Sequence, residues 1–295
     1  MDTTLNDEER VIVDTAAALA GKRLAPYALE WDATHHFPVD VMKEVAELGM
    51  AAIYCREDAG GSGLRRLDGV RIFEQLAIAD PVIAAYLSIH NMCAWMIDSF
   101  GTEDQRKSWV PALASMDAVA SYCLTEPGAG SDVSALSTRA VRQGGNYVLD
   151  GVKQFISGAG VSDVYVVMAR TGDDSPRGIS TFIVEKGTPG LSFGAAEQKM
   201  GWNSQPTAQV VFDGVRVPAE AMLGGPDGEG TGFSIAMNGL NGGRINIAAC
   251  SMGGGQAAFD KTGSYLADRQ AFGKALLDEP TIRFTLADMA TALET

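Results

Sequence analysis

Residues 122–132 read YCLTEPGAGSD, a segment in which a β-like run ends in a glycine-containing turn flanked by hydroxyl side chains. Such a turn can expose backbone N–H groups, with Thr125 and Ser131 beside them, to a planar cofactor or a phosphate. A plain type II turn explains the Pro127-Gly128 pair equally well, because Pro-Gly sequences form such turns in many proteins. This segment by itself therefore leaves a binding loop and a simple turn open.

Three later segments favour the binding loop. They read GVKQFISGA at 151–159, NGGRINIA at 241–248 and RQAFG at 269–273. Together with residues 122–132, and in the same order and spacing, they resemble the acyl-CoA dehydrogenase family. Residues 241–248 look most like its short-chain or branched-chain, isobutyryl-CoA-type members. The resemblance covers nearly all of the chain.

The resemblance implies an α+β fold in three parts. These are an N-terminal α-helical domain (1–117), a middle β-barrel-like domain (118–220) and a C-terminal helical bundle (221–295) that is incomplete. Composition and periodicity alone predict only that helices and strands are segregated along the chain.

Local signals place several of these elements. Asn6 is a candidate helix N-cap, and Glu9, three residues on, can return a hydrogen bond to its backbone. A second helix is predicted from Pro38 to Gly49. Gln143-Gly144-Gly145-Asn146 separates two alternating runs, 138–141 and 147–149, and predicts a hairpin. Further helices are predicted over 66–80, 81–100 and 103–115, and Thr102, with Gln105 three residues on, starts the last of them. Further strands are predicted over 164–169, 181–184 and 208–212.

Helical spacing returns after Gly232 and continues to about Leu266 despite several interior glycines. Each glycine costs about 1 kcal/mol in the interior of a helix. Close approach of another helix or of a ligand explains such glycines, and so does a kinked, weak helix.

Composition excludes several classes of function. The chain has 37 Asp and Glu against 23 Lys and Arg, a formal net charge of −14, which disfavours binding to nucleic acid or to an anionic membrane surface. No apolar run reaches the length of about 18 residues that a membrane span needs, and the acidic N-terminus does not resemble a signal peptide.

The cysteines and histidines also argue against a metal site. The four cysteines form no C-x-x-C pair, and the three histidines, His35, His36 and His90, suggest solvated or core-edge side chains. Reduced thiols are typical of a cytosol, so the sequence predicts a cytoplasmic protein without a bound metal.

The resemblance implies FAD as the cofactor and α,β-dehydrogenation of an acyl-CoA thioester. In that reaction a carboxylate removes the α proton while hydride passes from the β carbon to flavin N5. Thr125 is implied to bond the pyrimidine end of the flavin and Ser157 to direct its hydroxyl at N5, while Phe155 replaces the tryptophan of many relatives. The implied flavin contacts are Tyr122, Cys123, Leu124, Thr125, Gly130, Ser131, Phe155, Ile156 and Ser157.

Further contacts are implied for the substrate and for a second subunit. Ser131 is implied to lie between flavin and CoA, and Asn241, Gly242, Gly243 and Arg244 to meet the acyl-CoA. Arg269 and Phe272 are implied to reach the FAD of a neighbouring subunit. The resemblance thus implies a homo-oligomer, either a tetramer or a dimer, with an electron-transfer flavoprotein as the electron acceptor.

The catalytic base is the main departure from the family. Most members carry a glutamate beyond the position where this chain ends, and a minority carry it at the position of Gly243, which has no side chain. Glu126 is not the base of the family. We therefore expect a shortened chain that lacks the base. The alternatives are a non-catalytic fragment and an oxygen-using, acyl-CoA oxidase-like flavoenzyme.

Overall fold

The computed structural model describes residues 5–295, and its first part is helical. The helices are α1 (Asp7–Leu19), α2 (Ala28–Thr34), α3 (Val39–Glu47), α4 (Arg66–Ala79), α5 (Pro81–Phe100) and α6 (Glu103–Ala114). Five of these six correspond to predicted helices, and α2 was not predicted. A short π-helix over Ala20–Leu24, also not predicted, follows α1 directly.

Side-chain caps explain where several helices begin. The Asn6 side chain accepts a hydrogen bond from the Glu9 N–H at 2.8 Å, and the Glu9 carboxylate accepts from the Asn6 N–H at 3.0 Å. Thr102 and Gln105 make the same reciprocal pair at the start of α6. These contacts satisfy N–H groups that have no partner within the helix. The capping predictions are confirmed.

The middle of the chain forms one curled, seven-stranded sheet. Its strands are β1 (Ala120–Cys123), β2 (Arg139–Gln143), β3 (Asn146–Ser157), β4 (Val164–Arg170), β5 (Ile179–Glu185), β6 (Leu191–Phe193) and β7 (Thr207–Pro218). The predicted hairpin is the β2–β3 pair, turning at Gly144-Gly145. The strand β3 runs on to Ser157, well past the predicted segment, and pairs with β7 along its length.

A single helix of 37 residues, α7 (Gly232–Asp268), follows the sheet. Several of its glycines lie against α4 and α5: a Cβ added at Gly253 would lie 2.2 Å from the Glu74 carbonyl oxygen, and one at Gly239 would lie 2.9 Å from the Met96 sulfur. Close approach of neighbouring helices therefore accounts for these glycines. The helix is continuous through them, so the glycines do not interrupt it.

The end of the chain is more exposed. A short hairpin of β8 (Gln270–Ala271) and β9 (Lys274–Ala275) leads to α8 (Pro280–Glu294), in which no residue is buried. Large apolar side chains on these elements face solvent, including Phe284 and Met289. Within residues 5–295, no helix is both long and apolar enough to span a bilayer.

Candidate functional site

The two segments that resemble flavin-binding sequences lie side by side. The Gln154 N–H donates to the Thr125 carbonyl at 2.8 Å, and the Ser121 hydroxyl donates to the Ser157 carbonyl at 2.5 Å. The loop that follows β1 is thus fastened to the last third of β3. Residues 122–125 and 155–157 are brought together although the two segments are 30 positions apart in sequence.

A buried ion pair fixes the loop after β1. Glu126, only 4% exposed, accepts hydrogen bonds from the Lys153 ammonium at 2.7 Å and from the Ser137 and Thr138 N–H groups. Burial alone would raise the pKa of Glu126, but the charge of Lys153 and these hydrogen bonds lower it to about 2. Lys153 also donates to the Leu124 carbonyl at 3.0 Å. The Glu126 carboxylate is therefore fully engaged in holding the loop.

The turn within this loop is not of type II. Glu126 and Ala129 exchange N–H···O bonds of 2.9 and 3.1 Å around Pro127-Gly128. A type II turn here would require a positive φ at Gly128, but neither Gly128 nor Gly130 has a positive φ. A Cβ added at Gly128 or Gly130 would meet no atom within 4 Å. Gly130 and Ser131 are exposed, so their groups are accessible to a ligand.

Other predicted residues of this loop face inward. The side chains of Cys123 and Leu124 are buried in two different apolar clusters, so contacts with a cofactor would be made by their main chain. Thr125 is half-buried. The Tyr122 hydroxyl donates to the Ala236 carbonyl of α7 at 3.4 Å, which turns this side chain toward α7.

Phe155 has an unusual conformation. Its φ is +58°, at a point where the register between β3 and β7 shifts, and its side chain is 62% exposed. A positive φ is rare for a bulky residue and costs about 1–2 kcal/mol. Strain of this kind collects at binding sites. The neighbouring Ile156 points into the sheet core, so only its backbone is open to a ligand.

The Ser157 hydroxyl has one partner among the described residues. The Gln205 amide nitrogen, in the loop before β7, donates to it at 2.6 Å. Gln205 is 5% exposed, and its own carbonyl oxygen has no hydrogen-bond partner, nor has the buried hydroxyl of adjacent Ser204. Sequence reasoning missed Gln205, because no motif links it to Ser157, 48 positions earlier.

A network of hydroxyls supports the end of β3. The Ser121 and Ser162 hydroxyl oxygens lie 2.7 Å apart, and Ser162 is 2.8 Å from the buried Tyr86 hydroxyl. Gly158 has a φ of +81°, and a Cβ there would lie 2.5 Å from the Ser162 oxygen. Glycine is therefore required where the chain leaves β3.

An apolar cavity of about 400 Å³ lies between α5 and α7, close to Tyr122. Met92 and Ile89 of α5 face Leu240 and Gly243 of α7 across it. The Met92 sulfur lies 3.3 Å from the position that a Cβ at Gly243 would take. The other lining residues are Ser88, Arg244 and Ile247, and none of the eight carries a carboxylate.

The four predicted substrate residues of α7 are placed differently from one another. Gly243 and Arg244 line the cavity, whereas Asn241 is exposed and accepts a hydrogen bond from the Arg244 guanidinium at 2.9 Å. Gly242 is buried and faces the Arg66 guanidinium, which would be 2.5 Å from an added Cβ. Gly242 thus makes room for Arg66, whose guanidinium carbon also lies 3.9 Å from the centre of the Tyr54 ring.

Arg269 and Phe272 lie just beyond α7, away from the cavity lining. Phe272 and Gly273 form the two-residue turn of the β8–β9 hairpin with φ values of +50° and +79°, the signs of a type I′ turn. Phe272 is 97% exposed, and Arg269 is exposed as well. A bulky aromatic residue in this turn is strained and presents its ring to whatever approaches the hairpin.

His90 has a structural role. Its Nδ1 lies 3.2 Å from the Ala120 N–H, from which it accepts, so its Nε2 donates to the Leu113 carbonyl at 2.9 Å. Burial lowers the pKa of His90 to about 4, which keeps the ring neutral. His90 is thus a core residue that joins α5, α6 and β1, while His35 and His36 are exposed. In residues 5–295 no cluster of His, Cys, Asp and Glu is arranged to hold a metal.

Comparison with known families agrees with this architecture. The family models for the acyl-CoA dehydrogenase N-terminal, middle and C-terminal domains match residues 6–117, 121–215 and 230–295. The chain belongs to the acyl-CoA dehydrogenase family. It is accordingly an oxidoreductase that acts on a CH–CH group of an acyl-CoA, and its cofactor is FAD.

Individual relatives refine the comparison. A mitochondrial isobutyryl-CoA dehydrogenase of Dictyostelium discoideum is 52% identical over 290 residues, which are 98% of this chain and 69% of that protein. The butyryl-CoA dehydrogenase structure of Megasphaera elsdenii is 38% identical, has a TM-score of 0.94, and is matched over 100% of this chain and 78% of its own. A glutaryl-CoA dehydrogenase of Mycobacterium smegmatis in complex with FADH2 is 29% identical, with a TM-score of 0.92 and coverage of 98% and 73%.

The residues at the end of β3 fit a flavin. An exposed aromatic ring is held there by a strained backbone, next to Ser157 and to two buried polar atoms that lack protein partners. Buried polar groups are normally hydrogen-bonded, so orphaned ones mark places where a ligand or water completes the structure. FAD supplies the hydride acceptor of the reaction when it is bound.

Proposed function

We propose that this chain binds a short, branched acyl-CoA, with isobutyryl-CoA as its preferred substrate, for α,β-dehydrogenation. The observation that carries the proposal is the apolar cavity between α5 and α7, which suits a small hydrocarbon group and offers it no charged carboxylate. The identity of 52% to an isobutyryl-CoA dehydrogenase supports the choice of acyl group.

The proposed contacts with the flavin and with the acyl-CoA follow from which groups are accessible. Thr125, Phe155 and Ser157 face the flavin, and Gly130 and Ser131 extend the contact toward the CoA. The backbones of Cys123, Leu124 and Ile156 complete the flavin contacts. Gly243 and Arg244, with Tyr122, line the cavity that holds the acyl group. Gly242 and Asn241 act indirectly. Gly242 leaves space for the Arg66 guanidinium, and Asn241 accepts a hydrogen bond from Arg244.

We propose that the catalytic base is not among the residues that line the cavity. None of them has a carboxylate, and Gly243 presents only hydrogen. Glu126 is already bonded to Lys153, Ser137 and Thr138, so it cannot serve as the base. The lining residues bind and orient the acyl group, exclude water and keep the α carbon accessible.

The experiment compares the wild-type chain with Gly243→Glu and Gly243→Gln. Each protein is loaded with FAD and titrated anaerobically with isobutyryl-CoA while the visible flavin absorbance is followed. We expect isobutyryl-CoA to shift the flavin spectrum of the wild-type chain without bleaching it. Gly243→Glu should gain bleaching because it places a carboxylate in the cavity, and Gly243→Gln, its uncharged match, should not.

Other outcomes identify the alternatives. Bleaching of the wild-type chain would contradict the proposal about the base, and no spectral response to isobutyryl-CoA in any of the three proteins would contradict the substrate. Peroxide formation in air would indicate the oxidase-like alternative. A colourless protein with no affinity for FAD would indicate a non-catalytic fragment.

We also propose that the chain assembles as a dimer or tetramer in which Arg269 and Phe272 contact the FAD of a neighbouring subunit. The exposure and strained turn of Phe272 support this interface. Phe272→Asn, which suits a type I′ turn, should keep the monomer fold and weaken both association and FAD retention. Sedimentation analysis of the wild type and the variant tests it, and equal association of both would contradict it.

Three further points stay predictions. An electron-transfer flavoprotein is the proposed electron acceptor, and reduction of such a protein by substrate-reduced enzyme is the test. The cytoplasmic location is not confirmed, since the isobutyryl-CoA dehydrogenase relative is described as mitochondrial.

The division into domains at 1–117, 118–220 and 221–295 is proposed from the change from helices to strands and back to helices. Limited proteolysis near these boundaries tests it.

A further inference from the structure

The corner formed by Ser204 and Gln205 is the most unusual polar environment near the proposed flavin site. Gln205 reaches from the loop before β7 to the end of β3, where its Nε2 is 2.6 Å from the Ser157 hydroxyl oxygen. The Gln205 side chain is almost completely buried, whereas Ser157 is half-buried and keeps one side open. A short hydrogen bond with one buried partner restricts the orientation of both groups.

The bond determines what the Ser157 hydroxyl can still do. A hydroxyl has one proton to donate and two lone pairs that accept. Because Gln205 donates to Ser157, one lone pair is used and the hydroxyl proton remains free. The described residues offer that proton no other acceptor, since the contact of Ser121 is with the Ser157 carbonyl rather than with its hydroxyl.

Two neighbouring atoms point to a ligand at the same corner. The Gln205 Oε1 and the Ser204 hydroxyl are buried without a hydrogen-bond partner. A buried polar atom without a partner costs about 1–3 kcal/mol. Trp202, three positions before Gln205, and Phe155, two positions before Ser157, both have a positive φ near +60°, a strained conformation for bulky residues.

We infer that Gln205 is a positioning residue, which holds the Ser157 hydroxyl as an acceptor so that its proton is directed to the bound flavin. The inference rests on the proposed contact between Ser157 and FAD. Gln205 therefore acts through Ser157 on the electron affinity of the cofactor, without touching the acyl group.

The test is a double-mutant cycle on the FAD-loaded chain. The reduction potential of the flavin and its visible spectrum are measured for the wild type, Gln205→Met, Ser157→Ala and the double variant. Methionine keeps the length of the glutamine and removes its N–H donor. Gln209→Met is the matched control, because Gln209 is a half-buried amide on β7 that bonds Gln154 at 2.6 Å rather than Ser157.

We expect Gln205→Met and Ser157→Ala each to change the equilibrium constant for flavin reduction about tenfold and in the same direction, which is about 30 mV for a two-electron couple. The double variant should shift no further than either single variant, because both changes interrupt one path. Gln209→Met should leave the potential and the spectrum unchanged.

The outcomes separate this inference from the proposed function. If Ser157→Ala shifts the potential and Gln205→Met does not, the role of Gln205 is wrong and the Ser157 contact stands. Additive shifts in the double variant also overturn the role of Gln205. If the wild-type chain binds FAD and neither variant shifts its potential, the proposed Ser157 contact fails. Should Gln205→Met not fold, Gln205→Asn, whose amide is too short to reach Ser157, replaces it in the cycle.

Discussion

Two polar clusters lie next to each other on β3 and are built in opposite ways. At Lys153 the ammonium and the Glu126 carboxylate are buried together, and the carboxylate also has backbone and hydroxyl partners. Two to four residues further along, Phe155 is strained and exposed, while the bond between Ser157 and Gln205 leaves the glutamine carbonyl without a partner.

This difference indicates that the Lys153 cluster supports the fold, whereas the Ser157 cluster binds a ligand. Both charged groups of the Lys153 cluster are hydrogen-bonded without a ligand, although the buried Thr138 hydroxyl beside them has no partner, and the cluster fastens the loop after β1 to the sheet. The Ser157 cluster is incomplete in the same structure, although both lie in the same strand. Closed polar networks rigidify a fold, whereas strain and orphaned groups persist where binding repays them. The first cluster therefore holds the second in a fixed position.

The largest expected effect is on the closed cluster. Lys153→Met leaves the Glu126 carboxylate buried without its counter-charge, which should lower the free energy of unfolding by about 3–5 kcal/mol. Urea denaturation measures it. Lys186→Met, at an exposed lysine, is the control and should change stability by less than about 0.5 kcal/mol. A loss below about 1 kcal/mol for Lys153→Met would show that the cluster does not support the loop.

The closed cluster should also make stability depend on acid. The pKa of Glu126 is about 2 in the fold against an ordinary value of 4.5, so its contribution is present above about pH 4.5 and is lost as the pH falls toward 2. The shift corresponds to a loss of about 3 kcal/mol. Denaturation of the wild type and of Glu126→Gln from pH 5 to pH 2 measures it, and the variant should show a smaller decline. Parallel declines would contradict the lowered pKa.

At the open cluster, relief of strain should stabilise the protein. Phe155→Asn accommodates the positive φ better, so the FAD-free chain should gain about 1 kcal/mol, while its affinity for FAD falls. Val141→Asn, at an exposed position of β2 where φ is not positive, is the matched control and should bring no gain. Thermal unfolding and FAD titration are the measurements. Lower stability of Phe155→Asn would mean that the ring packs against the protein.

The smallest expected effect concerns Gln205. In the FAD-free chain, Gln205→Met loses the bond to Ser157 and also removes a buried carbonyl without a partner, so the two changes offset each other. The free energy of unfolding should change by less than about 1 kcal/mol. Urea denaturation tests this beside Lys153→Met. A loss as large as that of Lys153→Met would make the two clusters equivalent and remove the contrast between them.

Local signals in the sequence predicted much of the helical framework and part of the sheet. Asn6 with Glu9 and Thr102 with Gln105 mark helix starts because a cap and its helix are neighbours in sequence. The three-residue β6 and the two-residue β8 and β9 were missed, since so few residues show no periodicity. The extension of β3 to Ser157 was missed as well, because its irregular register interrupts the alternation of side chains.

The candidate site was predicted in part, because its segments are motifs. The resemblance named residues 122–132, 155–157 and 241–244, and the structure brings the first two together while Gly243 and Arg244 face the cavity. It could not distinguish Gly242, which faces Arg66, from Gly243 beside it. Nor could it identify Met92 or Gln205, because Met92 meets Gly243, and Gln205 meets Ser157, only in the folded chain.

The sequence by itself determined the order of helices and strands, the helix caps, the hairpin and the family, because each depends on residues close together in the chain or on the residue types of a motif. Tertiary structure alone decided the pairing of Glu126 with Lys153, the crossing of α4 over Gly253 and the contact of Gln205 with Ser157. Such contacts depend on the distance between atoms in the folded chain, and the helices and the curled sheet set that distance only when they pack together.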